Sequence, residues 1–225
     1  MARVAEVATE RTRTERKRCA ILEAAAEEFQ ANGFEGTSMD RVAERAGVSK
    51  RTIYNHFENK EALFEAITDE MIDEIVAISA IRYDPARGLE DQLIEIGRRK
   101  IDLMMCPSFL KFARVTIAEH LRTPDMANDA YCRIHESKDG FRKWIAAGVA
   151  DGRLVCDDSQ VAAEQFESML SGAAFWPRIF NRPEPSSLKL KKVLSSAVAL
   201  FLKYYAAPAE RRKESDAVDR VRQSP

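Results

Sequence analysis

Apolar residues recur along this chain at intervals of three and four almost from end to end, and alternating β-branched runs bounded by turns are missing. The first spacing lays apolar side chains along one face of a helix, whereas strict alternation would mark a half-buried strand. The expected class is therefore all-α. A first helix is predicted over about 14 to 32, with Ile21, Leu22, Ala25 and Phe29 on one face. It stops at Asn32-Gly33, where glycine suits the left-handed conformation that ends helices. Thr37-Ser38-Met39-Asp40 reads as a capping-box-like start to a second helix that buries Met39, Val42, Ala43 and Ala46. Gly47 breaks it, Ser49 caps a short third helix, and Asn59 caps a fourth running from Lys60 to about Ala80. Further helices are predicted at about 89–105, 107–121, 124–150, 158–177 and 187–205, making about nine in all.

Tyr83-Asp84-Pro85-Ala86-Arg87-Gly88 is the first strong punctuation after the fourth helix, and Asn181 to Ser187, with two prolines, reads as a loop. The domain organisation expected is a three-helix unit over 14–65, a larger helical unit over 66–207 entered through the fourth helix, and a tail over 208–225. That tail is charged and poor in large apolar residues, so disorder is expected there.

Composition changes this picture only by exclusion. No stretch approaches the roughly 18 uninterrupted apolar residues of a membrane helix. The N-terminus lacks the apolar core of a secretory signal, and the four cysteines stand far apart with no CxxC pair, so a reduced, cytoplasmic setting is expected. A net charge of −1 gives no global attraction to nucleic acid, so any such affinity must be local. One local concentration is Arg11, Arg13, Arg16, Lys17 and Arg18 against the single acid Glu15, although a run of this kind is more often a solvated helix face or a frayed end than a DNA arm.

The third helix carries the chemistry. At about 100° per residue, setting Ile53 at zero puts Phe57 near 40°, so this pair forms the buried stripe. Arg51 and Asn55 then fall near 160° and 200°, the centre of the opposite face, with Thr52 and Tyr54 flanking at about ±100°. Lys50, Arg51, Thr52, Tyr54, Asn55 and His56 are all hydrogen-bond donors and none is acidic. Arginine pairs with guanine O6/N7 and asparagine with adenine N6/N7 in the major groove, while Tyr, Thr and His suit phosphate oxygens. A helical hairpin inside a plain bundle would leave the missing acids unexplained. Two short helices joined by a glycine turn, after an amphipathic helix, are the parts of a helix-turn-helix.

The pattern Arg18-x-x-Ile21-Leu22-x-Ala24-Ala25-x-x-x-Phe29-x-x-x-Gly33-Phe34-x-x-Thr37-Ser38-Met39-x-x-Val42-Ala43-x-x-Ala46-Gly47-Val48-Ser49-Lys50-x-Thr52-Ile53-Tyr54-x-His56-Phe57-x-x-Lys60-Glu61-x-Leu63-Phe64 resembles the DNA-binding domain of the TetR/AcrR family over roughly residues 15 to 67. The stretch from Val161 through Glu164, Gln165, Phe166 and Gly172 to Trp176-Pro177 and Phe180 is similar to the C-terminal domain of AefR-like members. The resemblance implies a homodimeric, effector-responsive repressor on a palindromic operator of double-stranded DNA, dimerising through its last two long helices. It implies phosphate contacts by Thr37, Ser38, Tyr54, His56 and Lys60, and base contacts by Lys50, Arg51, Thr52 and Asn55. Many relatives carry Gly, Pro or Ala at the position of Arg51, so this arginine implies a guanine contact particular to this branch. An activator of the same fold stays open, as does a helical ligand-binding or partner-binding protein that no longer binds DNA.

The larger unit offers Met104, Met105, Phe109, Phe112, Phe141, Trp144, Phe166, Met169, Phe175 and Trp176 as candidate lining for an apolar or amphipathic small-molecule effector. Spacing alone does not separate lining from core. Small residues on the two late helices (Ser168, Ser171, Gly172, Ala173, Ala174; Ser195, Ser196, Ala197, Ala199) suit a close helix seam between subunits. His120, Cys132 and His135 lack a fourth ligand and any recognisable metal spacing, so neither a metal nor another cofactor is expected. No phosphate loop, HExxH or GxSxG motif occurs, which argues against an enzyme.

Overall fold

The computed structural model describes residues 13–123, 128, 132–134 and 139–208. Ten helices are delimited among them: α1 (Arg13–Gly36), α2 (Met39–Arg45), α3 (Lys50–His56), α4 (Lys60–Ser79), α5 (Leu89–Met105), α6 (Pro107–His120), α7 (Asp139–Ala150), α8 (Ser159–Ala174), α9 (Trp176–Ile179) and α10 (Ser187–Tyr205). Among the described residues there is no strand ladder, only an isolated bridge between Leu154 and Ala206. The all-α expectation holds. The tail beyond Pro208, His135, Arg11 and much of the segment expected as one helix over 124–150 lie outside the described residues.

The described chain forms two compact units. The first runs to Met71 and takes in the chain from Lys111; the second holds Ile72–Leu110 and the chain from Cys132 onward. In the first unit, Ile21, Leu22, Ala25 and Phe29 of α1 are buried with Val42 and Ala43 of α2, Ile53 of α3, and Leu63, Phe64 and Ile67 of α4. Gly33 breaks α1 where the sequence predicts the helix to stop, but the chain turns helical again for a last turn to Gly36, and the break differs from expectation. Its φ of 71° comes with ψ of 172°, an extended glycine-only conformation rather than the left-handed helical one. The chain resumes with Phe34 packed on Phe29 and Phe64, ring centroids 5.5 and 5.7 Å apart.

The second unit is built on a closed aromatic cluster. Phe141 lies 5.8 Å from Trp144 and 5.3 Å from Phe166, and Phe166 meets Phe201 of α10 at 5.5 Å. The Trp144 indole N–H donates to Gln92 Oε1 at 3.0 Å, and Gln92 Nε2 donates to the Asp84 carbonyl at 2.8 Å. That exchange satisfies a buried amide and pins the turn before α5. Lys100 of α5 and Glu167 of α8 form a buried ion pair at 2.5 Å, with the ammonium 5.6 Å from the centre of the Phe141 ring.

One boundary departs from expectation. The helix expected over 158–177 breaks at Phe175 and restarts as the single turn α9. Pro177 has no N–H to return to the Ala173 carbonyl and its ring crowds that position, so a continuous helix stops before it.

Candidate nucleic-acid interface

The unit that presents α3 is fixed by local rules. Ser38 caps α2 by accepting from the Arg41 N–H at 3.4 Å, and Ser49 caps α3 by accepting from the Thr52 N–H at 3.1 Å. Between them, Val48 N–H donates to the Ala43 carbonyl at 3.0 Å and Gly47 N–H to Glu44 at 3.1 Å. This paired closure needs a positive φ at its glycine, and Gly47 has φ 65°. The turn therefore sets the angle between α2 and α3 through backbone alone.

Burial follows the angles expected from the sequence. Ile53 is fully buried and Phe57 nearly so, while Lys50, Arg51, Tyr54 and Asn55 are exposed and Thr52 and His56 half-buried. Arg18 from the basic run lies over the Phe57 ring at 5.2 Å, so this cation packs on the C-terminal cap of α3. The tie between α1 and α2 is polar. Glu28, buried on α1, accepts from Asn32 Nδ2 at 2.9 Å and from Arg45 Nε at 2.7 Å, with Arg41 at 3.6 Å. Glu27 accepts from Lys111 of α6 at 2.7 Å, and that bond chiefly, then the pull of Lys111 and Arg45, holds its carboxyl below the usual range. Arg41 and Arg45 are thus engaged by α1.

The residues expected at phosphates fall into two groups. Ser38, Tyr54 and His56 lie on or beside the exposed face, and the capping Ser38 hydroxyl accepts a bond while keeping its own proton for donation. Thr37 is buried instead. Its hydroxyl donates to the Gly33 carbonyl at 2.8 Å and its N–H to Phe34 at 3.3 Å, so in this arrangement both of its donors serve the turn after α1. Lys60 donates to the Phe34 carbonyl at 3.3 Å and to Glu35 at 3.2 Å, with its ammonium 4.5 Å over the Phe34 ring. It ties the start of α4 to the end of α1. Lys50 meets Asp40 of α2 at 2.5 Å, a partner that reading α3 alone did not supply.

The candidate effector residues also separate. Phe141, Trp144 and Phe166 belong to the closed cluster of the second unit, packed ring against ring, so the structure gives them to the core. Phe112 is buried within the first unit. Phe109 and Phe175 pair at 6.1 Å; Met104 and Met105 pack against the core while partly exposed. Met169 lines an outward groove of about 530 Å³ between α8 and α10, bounded by Val161, Gln165, Ser168, Leu200 and Tyr204. Trp176 is half-exposed on α9. Of the small residues expected at a seam, Ser168, Gly172, Ser195, Ser196 and Ala199 are exposed, whereas Ala174 and Ala197 face their own core.

A short helix sealed behind by Ile53 and Phe57, presenting an acid-free row of donors at the end of a Gly47 turn, defines a helix-turn-helix DNA-binding protein. Comparison with known proteins narrows the class. Residues 21–67 match the family described as bacterial regulatory proteins, tetR family, and residues 91–207 the AefR-like transcriptional repressor C-terminal domain. The chain belongs to the TetR family of transcriptional regulators, a family of DNA-binding regulators rather than enzymes. Among solved structures, a TetR family transcriptional regulator from Pseudomonas syringae pv. tomato str. DC3000 is 39% identical with a TM-score of 0.77, covering 86% of this chain and 98% of that one. The flavonoid-responsive regulator FrrA is 26% identical with a TM-score of 0.65, over 86% of this chain and 98% of its own. The HTH-type transcriptional regulator RutR of Escherichia coli (strain K12) is 29% identical over 140 residues, 59% of this chain and 63% of RutR. Among the described residues, no helix is long and apolar enough to cross a membrane.

Proposed function

We propose that the protein is an effector-responsive homodimeric repressor that places α3 of each subunit in the major groove of a palindromic operator. The observation that carries this reading is the exposed face of α3, where Arg51 and Asn55 stand opposite the buried Ile53 and Phe57. Arg51, Asn55, Lys50 and Thr52 read base edges; Ser38, Tyr54 and His56 hold phosphates, with Thr37 and Lys60 bracing the same edge from within.

Dimerisation is supported by the outward faces of α8 and α10. Leu200 is 58% exposed and Tyr204 75% exposed beside the groove, and Ser168, Gly172, Ser195 and Ala199 leave room for a second pair of helices. Apolar side chains grouped this way on a surface mark an association site. A two-fold dimer then asks for half-sites about 34–36 Å apart. An apolar or amphipathic small molecule binds in the second unit, where Met104, Met105, Phe109 and Phe175 are the candidates outside the closed cluster. The flavonoid-responsive character in FrrA's name is consistent with such a ligand class.

The test begins with selection of bound duplexes from random DNA, with an inverted repeat as the expected product. Sedimentation of the wild type should give a dimer and of Leu200→Lys a monomer that binds single half-sites weakly. A ligand found by thermal shift should release the operator over the concentrations that raise Tm, since one binding event underlies both. Selection that yields no motif would refute the reading.

A further inference from the structure

The acid absent from α3 is supplied by its neighbour. Asp40, in the first turn of α2, accepts from the Nζ of Lys50, the first residue of α3, at 2.5 Å. Both side chains stay accessible, at 54% and 70% exposure. The Asp40 hydrogen bond, and then its charge, raise the Lys50 ammonium above its ordinary pKa. An exposed pair of this kind contributes little to stability. Its consequence lies in what each group does to an approaching duplex.

We infer that Asp40 is a specificity-determining residue: it withholds Lys50 from phosphates and presents it to base edges. This inference rests on the proposed entry of α3 into the major groove. A phosphate that approaches Lys50 also meets the Asp40 carboxylate, and like charges repel. The Lys50–Asp40 pair carries no net charge, so its approach to a phosphate displaces little counterion from the DNA, and that release is the main source of sequence-independent affinity. A base edge carries no net charge. The two remaining N–H groups of Lys50 donate to guanine O6 and N7, and the adjacent carboxylate accepts from the N4 amino group of the paired cytosine. The pair therefore lowers affinity for DNA in general and loses least where a G·C pair stands opposite it.

The experiment titrates intact protein against two duplexes over a series of salt concentrations. One duplex is that selected from random DNA by the wild type; the other is a scrambled sequence of equal composition. Asp40→Asn should tighten the scrambled duplex roughly fivefold to tenfold near 0.1 M salt and steepen its salt slope by about one, the worth of one phosphate contact. The selected duplex should gain less, so the ratio of the two affinities falls. Asp40→Glu, which keeps the charge, should restore the ratio, and thermal unfolding of each variant checks the fold. In a Lys50→Ala background Asp40→Asn should tighten the scrambled duplex much less than it does in the wild type, because no freed ammonium is left to take a phosphate. Equal tightening of both duplexes overturns the inference. So does tightening that is as large without Lys50 as with it, because Asp40 would then act only as a bare repulsive charge. A Lys50→Ala variant with both affinities unchanged also overturns it, whereas equal binding of the two duplexes by the wild type would instead sink the underlying reading of α3.

Discussion

Arg51→Ala is expected to cost about 1–3 kcal/mol on a duplex holding its partner base, and far less on one already changed at that base. The assignment follows from position: Arg51 projects from the exposed centre of α3, directly opposite Ile53. A double-mutant cycle against each operator base pair checks it, and coupling to none would make Arg51 a phosphate clamp. His120 gives a second expectation at this scale. Its ring meets Phe64 edge-on at 5.7 Å, and burial lowers its pKa from 6.5, opposed by the nearby Glu119 carboxylate; Arg122 also lies beside that carboxylate at 3.9 Å. The folded state then binds fewer protons than the unfolded chain between the lowered pKa and 6.5. Stability from this group is complete above that window and falls as pH drops through it. Denaturation midpoints taken from pH 8 down to 5 should decline more in the wild type than in His120→Gln. An equal decline in both would place the titration elsewhere.

Helices are where the sequence was most legible, because capping and periodicity act within a few residues. The bounds of α5 and α10, the starts of α2 and α3, the caps at Ser49 and Asn59, and the division of α3 into buried and exposed faces follow from capping residues and spacing. What spacing does not carry is contact between helices. Asp40 on Lys50, Phe34 beneath Lys60 and the Glu28 tie to Arg45 each join residues ten or more positions apart. The same gap explains the aromatic set, since a Phe at a helical interval reads alike in a core or a pocket. It is the packing of α7, α8 and α10 that brings the rings of Phe141, Phe166 and Phe201 together as core. The Lys100–Glu167 pair between α5 and α8 was equally invisible, and it carries a test. Lys100→Ala strips a buried carboxylate of this cation and should cost about 3–5 kcal/mol in urea unfolding. Lys100→Met with Glu167→Leu should recover most of that loss, because an apolar pair needs no mutual neutralisation. If the double variant were no better than the single, another partner of Glu167 would dominate.

The described chain folds as two compact units, and that division has a chemical counterpart. The chain's two tryptophans, Trp144 and Trp176, both belong to the second unit. Trp144 is sealed in the aromatic cluster with its indole N–H on Gln92, whereas Trp176 is 46% exposed. Selective tryptophan excitation should therefore yield a short-wavelength component shielded from iodide and a longer-wavelength one that iodide quenches. Helical circular dichroism reports both units, but tryptophan emission reports only one. Divergence of the two thermal curves would mean that the units melt in separate steps rather than as a single cooperative transition. Emission changes on adding a small molecule would arise in the unit assigned to the effector, with the DNA-binding unit dark. The packing that closes the core around Trp144 thus equips the protein with an optical probe of its own, needing no label.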